Sequence, residues 1–158
     1  MNIFLNKKNF YLLILFYSLF AILFALYVEY ILGYKPCKLC VYQRIPYLAA
    51  IFISFFGYNF NKNLLWLYLL LIIFIVSIFL SGYHAGIENN IFNEYSGCSV
   101  DNLNLTNKTE LLNSLKNSLP NCKDVNFRIF GLSLATLNFI ISIIITVFIV
   151  NKIINEKK

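Results

Sequence analysis

The chain has 158 residues, of which 59% are hydrophobic and 18% aromatic, while only 13% are charged. A soluble domain of this length has too much surface to bury so much apolar area, because the buried fraction is limited by size. The net charge of +6 is not gathered in a dense patch of Lys and Arg, which argues against a nucleic-acid-binding protein. The composition therefore predicts one small membrane domain over residues 1–158.

Four apolar segments are long enough to cross a bilayer as helices. A helix rises about 1.5 Å per residue and the hydrocarbon core is about 30 Å thick, so about 20 residues suffice. The segments show no alternation with a period of two residues, which argues against a barrel. We therefore predict an all-α bundle of four transmembrane helices, at about residues 10–32, 41–58, 64–83 and 132–150.

The distribution of lysine predicts the orientation of this bundle. Four helices place both termini on one side, and the short flanks of that side carry Lys7, Lys8, Lys62, Lys152, Lys157 and Lys158. Because cytoplasmic flanks are enriched in Lys and Arg, we expect both termini in the cytoplasm. The extracytoplasmic side then holds a short loop at about residues 33–40, which carries only Lys35 and Lys38, and a long loop at about residues 84–131.

All four cysteines lie in the two predicted outer loops, Cys37 and Cys40 in the first and Cys98 and Cys122 in the second. Outer compartments oxidise thiols, so an even number of cysteines there indicates disulfides. One interpretation is mechanical, because a bridge from Cys98 to Cys122 would stabilise its loop by roughly 3 kcal/mol in the chain-entropy model. A bridge from Cys37 to Cys40 constrains almost nothing, so its value would be chemical.

The Cys37-x-x-Cys40 pair follows Pro36, a residue suited to the first turn of a helix. We therefore expect the second helix to begin near the pair, with free backbone N–H groups directed at the sulfurs. Those groups and the positive end of the helix dipole favour thiolate over thiol and so lower a cysteine pKa. Such a thiolate is a nucleophile and a potential electron donor.

Arg44 follows Cys40 by four residues and so shares its helical face. One interpretation is that its guanidinium only reaches back to the headgroups. The other is that it donates hydrogen bonds to a carbonyl of a flat, lipid-soluble ligand beside Cys40, where charge develops as electrons arrive. A quinone meets each requirement.

His84, the single histidine, follows the third apolar segment. It is either a polar anchor at the interface or, near a quinone, a hydrogen-bond donor or proton shuttle. Glu29 lies near the end of the first helix, where a carboxylate can reach water, and we assign it no role.

Taken together, these features resemble the disulfide bond formation protein B (DsbB) family over about residues 27–142. The resemblance rests on the four spans, the later cysteine pair, and the strings Pro36-Cys37-x-x-Cys40-x-x-x-Arg44, Tyr83-His84-x-Gly86-x-Glu88 and Phe130-Gly131-Leu132-Ser133. It implies a quinone-dependent thiol oxidoreductase of the bacterial cytoplasmic (inner) membrane, with its cysteine loops facing the periplasm. Such an enzyme reoxidises a soluble DsbA-like thioredoxin-fold protein and passes the electrons to ubiquinone or menaquinone, which sustains disulfide formation in secreted proteins.

The resemblance also implies a role for each site residue. The redox disulfides would be Cys37–Cys40 and Cys98–Cys122. Cys98 would form the mixed disulfide with the partner, Cys122 would exchange with Cys37, and Cys40 would donate to the quinone. Arg44 and His84 would bind the quinone. The segment between Cys122 and the fourth helix contains Phe127 and Phe130 but no tryptophan. Aromatic packing against the quinone is possible there, but we do not assign it.

The long loop contains one further predicted element. Thr109 can cap a short helix with an apolar stripe that ends before Pro120. It would either pack on the bundle or lie on the membrane surface, and we favour the surface slightly.

Three other functions compete with this one. Structural zinc needs four convergent ligands, and the second cysteine pair is widely spaced while no histidine is expected beside the first, so we predict no metal. A non-catalytic membrane protein braced by disulfides predicts that Cys37→Ser leaves the host's secreted disulfide proteins active. A carrier that reduces outer substrates with cytoplasmic electrons would need cysteines across the bilayer, and none lies deep in the apolar segments.

Overall fold

The computed structural model describes residues 6–61, 63–93, 121–123, 127–129 and 131–157. Helices dominate this part of the chain, and two very short strands form an antiparallel hairpin with Arg128 opposite Ser133. The elements in chain order are α1 (Lys7–Tyr30), α2 (Lys38–Tyr42), α3 (Arg44–Asn59), α4 (Leu65–Glu88), β1 (Arg128–Ile129), β2 (Leu132–Ser133) and α5 (Leu134–Lys157).

Four helical segments within the described residues are long and apolar enough to cross a membrane. They are α1, the combined α2–α3 segment Lys38–Asn59, α4 and α5. Helix α1 packs against α3, α3 against α4, and α4 against α5. The prediction of an all-α bundle with four transmembrane helices is confirmed.

Two helices extend well beyond their predicted ends, and tertiary contacts explain both differences. Helix α4 continues past residue 83 to Glu88, and the ring of His84 in this last turn is buried. Helix α5 continues past residue 150 to Lys157, because the Lys152 ammonium is paired with Glu156 at 2.9 Å. Glu156 also binds Lys7 of α1 at 2.8 Å and so links the first and last helices at this end of the bundle.

Small residues allow the helices to approach closely, as is usual where lipid replaces water as the solvent. A Cβ atom at Gly57 of α3 would lie 2.5 Å from the ring of Tyr11, which is fully buried. The Ser77 hydroxyl of α4 lies 3.0 Å from the Ser142 hydroxyl of α5, so the polar groups of two helices satisfy each other.

The chain between α1 and α2 turns sharply and brings the cysteine pair onto the bundle. Gly33 has φ +75°, a backbone conformation that L side chains rarely adopt. The Tyr34 N–H donates to the Val28 carbonyl at 3.2 Å, which holds the turn against the end of α1. As a result, α2 begins directly after Cys37.

Several sequence-based expectations fall on other parts of the chain. Cys98, the short helix predicted after Thr109, and Phe130, Lys62 and Lys158 lie outside the described residues.

Candidate functional site

Cys37 is the N-cap residue of α2. Its backbone is extended, with φ −73° and ψ 169°, and its sulfur accepts a hydrogen bond from the Cys40 backbone N–H at 3.3 Å. The predicted helix start at the cysteine pair is therefore confirmed. The sulfur of Cys37 takes the place that a Ser or Asp oxygen usually occupies at this position.

Cys37 and Cys40 are free thiols whose sulfurs lie 3.0 Å apart. The hydrogen bond shared with Cys40 is the largest influence on the pKa of Cys37, and it lowers that pKa to about 4 against the opposing effect of burial. A contact with His84 lowers the pKa further. These contacts favour the thiolate form of Cys37 in the reduced pair.

His84 lies beside this sulfur although it is distant in sequence. Its Nε2 is 3.5 Å from Cys37 Sγ and 3.6 Å from a Glu88 carboxylate oxygen, and only 2% of the residue is exposed. Potential ligand atoms of Cys37, Cys40 and His84 all lie within 4.8 Å of one another. The expectation that no histidine lies near the first cysteine pair is therefore wrong, because α4 continues as a helix and carries His84 onto α2.

Arg44 forms an ion pair with Glu29 of α1 at 2.6 Å, and both side chains are about one-fifth exposed. Sequence reasoning gave Glu29 no role. The signal that could have identified it is general, because an acid within a membrane-spanning segment usually pairs with a base at a similar depth. Arg44 is thus held by a neighbouring helix at its place on α3.

Cys122 completes the cluster of sulfur atoms. It is 2% exposed and packs with Cys37, Leu39 and Ile87, with Cys40 at the edge of this cluster. Cys122 is disulfide-bonded, while its predicted partner, Cys98, lies outside the described residues. The described part of the chain therefore brings three of the four cysteines together.

A cavity of about 390 Å³ adjoins these residues. Its walls are mainly apolar and come from all four spans and the segments around the cysteines. The polar or reactive side chains at its lining include those of Cys37, Cys40, Gln43, Arg44, His84 and Asn138. This combination of an apolar wall and a few convergent polar groups is typical of a small-molecule site.

Aromatic side chains also line the cavity. The rings of Tyr34 and Phe127 lie 5.3 Å apart between centroids, and both residues contribute to the wall. The segment to which sequence reasoning assigned no contact thus supplies an aromatic ring to the cavity. Its position follows from the hairpin, which the local sequence pattern did not reveal.

A chain of buried polar groups connects His84 to α5. The Gln43 amide nitrogen lies 2.9 Å from His84 Nδ1, and the Asn138 amide nitrogen donates to the Gln43 carbonyl oxygen at 3.0 Å. Tyr47 donates its hydroxyl to the Asn138 carbonyl oxygen, and Ser142 donates to the same atom at 3.2 Å. Sequence reasoning missed Gln43 and Asn138, although polar residues in apolar spans are rare enough to have indicated them.

Comparison with known proteins agrees with this architecture. The family model described as disulfide bond formation protein DsbB matches residues 7–151. An uncharacterized protein of Rickettsia prowazekii (strain Madrid E) is 31% identical over 138 residues, which cover 84% of this chain and 79% of the relative.

Two relatives that carry the name disulfide bond formation protein B are also similar. The one from Ralstonia nicotianae (strain ATCC BAA-1114 / GMI1000) is 30% identical over 97 residues, which cover 61% of this chain and 59% of the relative. The one from Cupriavidus pinatubonensis (strain JMP 134 / LMG 1197) is 30% identical over 99 residues, or 62% of this chain and 60% of the relative. The chain thus matches less than two thirds of the length of these two named relatives.

The match to the family model covers most of the chain and includes the cysteine pair, Arg44 and His84. The four apolar helices agree with a protein embedded in a membrane. The chain therefore belongs to the DsbB family of membrane oxidoreductases that form disulfide bonds.

Proposed function

We propose that this protein is a quinone-dependent thiol oxidoreductase of a bacterial inner membrane, which reoxidises a soluble, periplasmic, DsbA-like thioredoxin-fold protein. The observation that carries the proposal is the cavity in which an apolar wall meets Cys37, Cys40, Arg44 and His84. A purely structural disulfide would need neither this cavity nor a cation beside it.

Thiol exchange accounts for the cysteines in this proposal. A thiolate of the partner attacks Cys98 of a Cys98–Cys122 disulfide, which forms a mixed disulfide and releases Cys122 as a thiolate. Cys122 then attacks Cys37 of a Cys37–Cys40 disulfide and releases Cys40 as a thiolate. The partner's second thiol breaks the mixed disulfide and frees Cys98, which attacks Cys122, forms Cys98–Cys122 again and releases Cys37. The reduced Cys37 and Cys40 then hold the two electrons taken from the partner. The packing of Cys122 against Cys37 supports this second exchange, because the two residues share one buried cluster.

The residues present fit a quinone. The apolar wall suits a lipid-soluble ring, Tyr34 and Phe127 offer aromatic faces, and Arg44 offers hydrogen-bond donors for a ring oxygen, while His84 lines the cavity beside the cysteine pair. A bound quinone supplies one kind of chemistry here, namely acceptance of the two electrons and two protons released when the Cys37–Cys40 disulfide forms again. Arg44 would stabilise negative charge on a ring oxygen of the quinone, and Glu29 holds the guanidinium in place.

The proposed orientation places the cysteines on the periplasmic side. Lys7, Lys152 and Lys157 lie at the opposite end of the bundle, where positive flanks favour the cytoplasm. The cysteine pair would then meet soluble thiol proteins from outside, while the apolar cavity would receive its ligand from the bilayer.

Thiol-dependent reduction of ubiquinone and of menaquinone by the purified protein in lipid tests the proposal. Arg44→Ala should raise the apparent KM for the quinone roughly tenfold or more, as expected when a charge-assisted hydrogen bond worth about 1.5–3 kcal/mol is lost. The matched control is Arg128→Ala, because Arg128 is the other arginine of the chain and is exposed in β1. An unchanged KM in Arg44→Ala would remove Arg44 from the site, and inactivity toward both quinones would refute the proposed function.

A second experiment separates this function from that of a disulfide-braced membrane protein. In the native host, Cys37→Ser should abolish reoxidation of the soluble partner, so that the partner accumulates in its reduced form. Normal activity of secreted disulfide proteins in that strain would favour the structural role instead.

A further inference from the structure

His84 is held at both ring nitrogens by groups of known hydrogen-bonding character. Nδ1 faces the Gln43 amide nitrogen at 2.9 Å. Nε2 faces the Cys37 sulfur at 3.5 Å and a Glu88 carboxylate oxygen at 3.6 Å. His84 is 2% exposed and Gln43 is 8% exposed, so protein groups rather than bulk water set the proton positions.

The donors and acceptors can be traced from α5 to the imidazole. Tyr47 and Ser142 donate their hydroxyl groups to the carbonyl oxygen of Asn138. The Asn138 amide nitrogen is directed toward Gln43 and donates to its carbonyl oxygen. With that oxygen engaged, Gln43 presents its amide nitrogen to His84.

An amide nitrogen can only donate a hydrogen bond, so Nδ1 of His84 must accept and carries no proton. The hydrogen of a neutral imidazole then resides on Nε2. The other side of the ring leads to the same assignment, because Nε2 is flanked by the Glu88 carboxylate, which accepts, and by the Cys37 sulfur, which accepts when it is a thiolate. Two independent sets of contacts thus agree on one tautomer.

We propose that Gln43 and Asn138 are positioning residues that form an amide relay, which holds His84 as the neutral Nε2–H tautomer and directs its N–H at the Cys37 sulfur. The amide relay is defined as the hydrogen-bonded series Asn138–Gln43–His84. The amide relay names the residues that control the charge on Cys37 and Cys40. Its role in turnover rests on the proposed function.

The relay has a chemical consequence for the reduced cysteine pair. A neutral N–H donor stabilises the Cys37 thiolate without placing a full positive charge beside it, and it also opposes protonation of Nδ1. The hydrogen bond with Cys40 is the largest cause of the low pKa of Cys37, and the contact with His84 lowers that pKa further. A stabilised thiolate makes the reduced pair more favourable and its disulfide more oxidising.

The direct test is nitrogen NMR of the reduced protein in lipid, with ¹⁵N in its histidine. The chain contains one histidine, so the two ring signals need no assignment by mutation. We expect a protonated Nε2 and an unprotonated Nδ1 near neutral pH. An imidazolium with two protonated nitrogens, or a neutral ring with its proton on Nδ1, would overturn the proposal.

A variant of Asn138 tests whether the relay sets the tautomer. In Asn138→Asp the new carboxylate can only accept, so Gln43 should turn its amide nitrogen toward residue 138 and its oxygen toward His84. The ring proton should then move to Nδ1. The control is Thr146→Val, further along α5, where the hydroxyl bonds only the Ser142 carbonyl among the contacts described. The control should keep the proton on Nε2, and an unchanged tautomer in Asn138→Asp would refute the relay.

A second variant keeps the proposal testable if Asn138→Asp does not fold. Gln43→Glu places an acceptor directly beside Nδ1 and should also bring a proton to that nitrogen. In either variant we expect the pKa of the Cys37 thiolate, followed by its ultraviolet absorbance against Cys37→Ser, to rise by about one unit, or roughly tenfold in the thiolate equilibrium. The titratable groups around this sulfur are Cys40, His84 and Cys122, which packs in the same buried cluster, with Glu88 beyond His84, and none of them is replaced in these variants.

These measurements separate the relay from the proposed function. The NMR experiment uses neither quinone nor a thiol partner, so an Nε2–H tautomer would stand even if the protein failed to reduce quinones. Conversely, quinone reduction with a different tautomer would leave the proposed function intact and refute the relay. An unchanged Cys37 pKa in a variant with a switched tautomer would refute the relay's control of the thiolate.

Discussion

Arg44 and Glu29 belong to different helices, yet neither can be understood without the other. A guanidinium in an apolar span is costly unless an anion or a hydrogen-bond acceptor compensates it. Glu29 supplies that anion at 2.6 Å, while Arg44 also lines the cavity. The carboxylate therefore does two things, since it offsets the burial of the charge and limits the positions that the guanidinium can take.

Replacement of Glu29 by Gln should impair the binding of quinone without abolishing turnover. The amide keeps the size of the side chain but loses its charge, so Arg44 would be less well oriented. We expect the apparent KM for quinone to rise about three- to tenfold, less than in Arg44→Ala, with a smaller change in kcat. Steady-state quinone reduction measures both.

The matched control is Glu156→Gln, the same exchange at the far end of the bundle, where the carboxylate binds Lys7 and Lys152. It should leave the KM for quinone unchanged. If Glu29→Gln behaves like this control, Glu29 does not position Arg44 for the ligand.

Sequence predicts the identity of individual site residues better than it predicts their partners. Pro36 and the cysteine spacing were enough to place a helix start at Cys37, because capping is a local property. The pairing of Arg44 with Glu29, and of His84 with Gln43, depends on which helices are neighbours and how they are rotated. Apolar spans with no clear polar face carry little information of that kind.

At the scale of the helices, composition predicts the four spans, whereas side-chain contacts between helices determine where α4 and α5 end. The apolar segments predicted for α4 and α5 end directly before His84 and Asn151, since polar side chains are costly in lipid. The structure continues both helices because their polar residues are satisfied within the protein, His84 by Gln43 and Lys152 by Glu156. Such compensation arises only after the helices have packed.

The contact between α1 and α3 makes a prediction about stability. A methyl group at Gly57 would lie 2.5 Å from the fully buried ring of Tyr11, which has little room to move. Gly57→Ala should therefore lower the free energy of unfolding by about 1–3 kcal/mol, the usual range for overpacking. Reversible unfolding in detergent micelles measures this value.

A double substitution provides the control for that prediction. Tyr11→Leu removes the ring that the new methyl group would meet, so the penalty of Gly57→Ala should be smaller in the Tyr11→Leu background. Equal penalties in both backgrounds would show that the cost of Gly57→Ala arises elsewhere.

On the scale of the whole molecule, the two ends of the bundle differ. At one end α1 and α5 are joined by the Lys7–Glu156 ion pair, and buried residues of both helices belong to one hydrophobic core. Towards the cysteines, side chains of the same two helices line the cavity. The fold thus combines a closed end that holds the helices together with an open end that can admit a ligand.

The difference between the two ends of the bundle makes a prediction. One substitution in the cavity wall should impair quinone reduction and leave thiol exchange unchanged. Ala25 of α1 lines the cavity, away from the described hydrogen bonds of the cysteine pair. Ala25→Phe should fill part of the space and raise the apparent KM for quinone at least tenfold. Oxidation of one equivalent of a dithiol substrate, which the protein's own disulfides can accomplish without quinone, should keep its rate.

Leu23→Phe is the matched control, because Leu23 lies on the same helix, is exposed and does not line the cavity. It should leave both steps unchanged. If Ala25→Phe slows the single oxidation of dithiol as much as it slows steady-state quinone reduction, the cavity wall supports the cysteines rather than a separate ligand. If it slows neither, the electrons leave the protein by another route, and the cavity between α1 and α5 is not the site of their transfer.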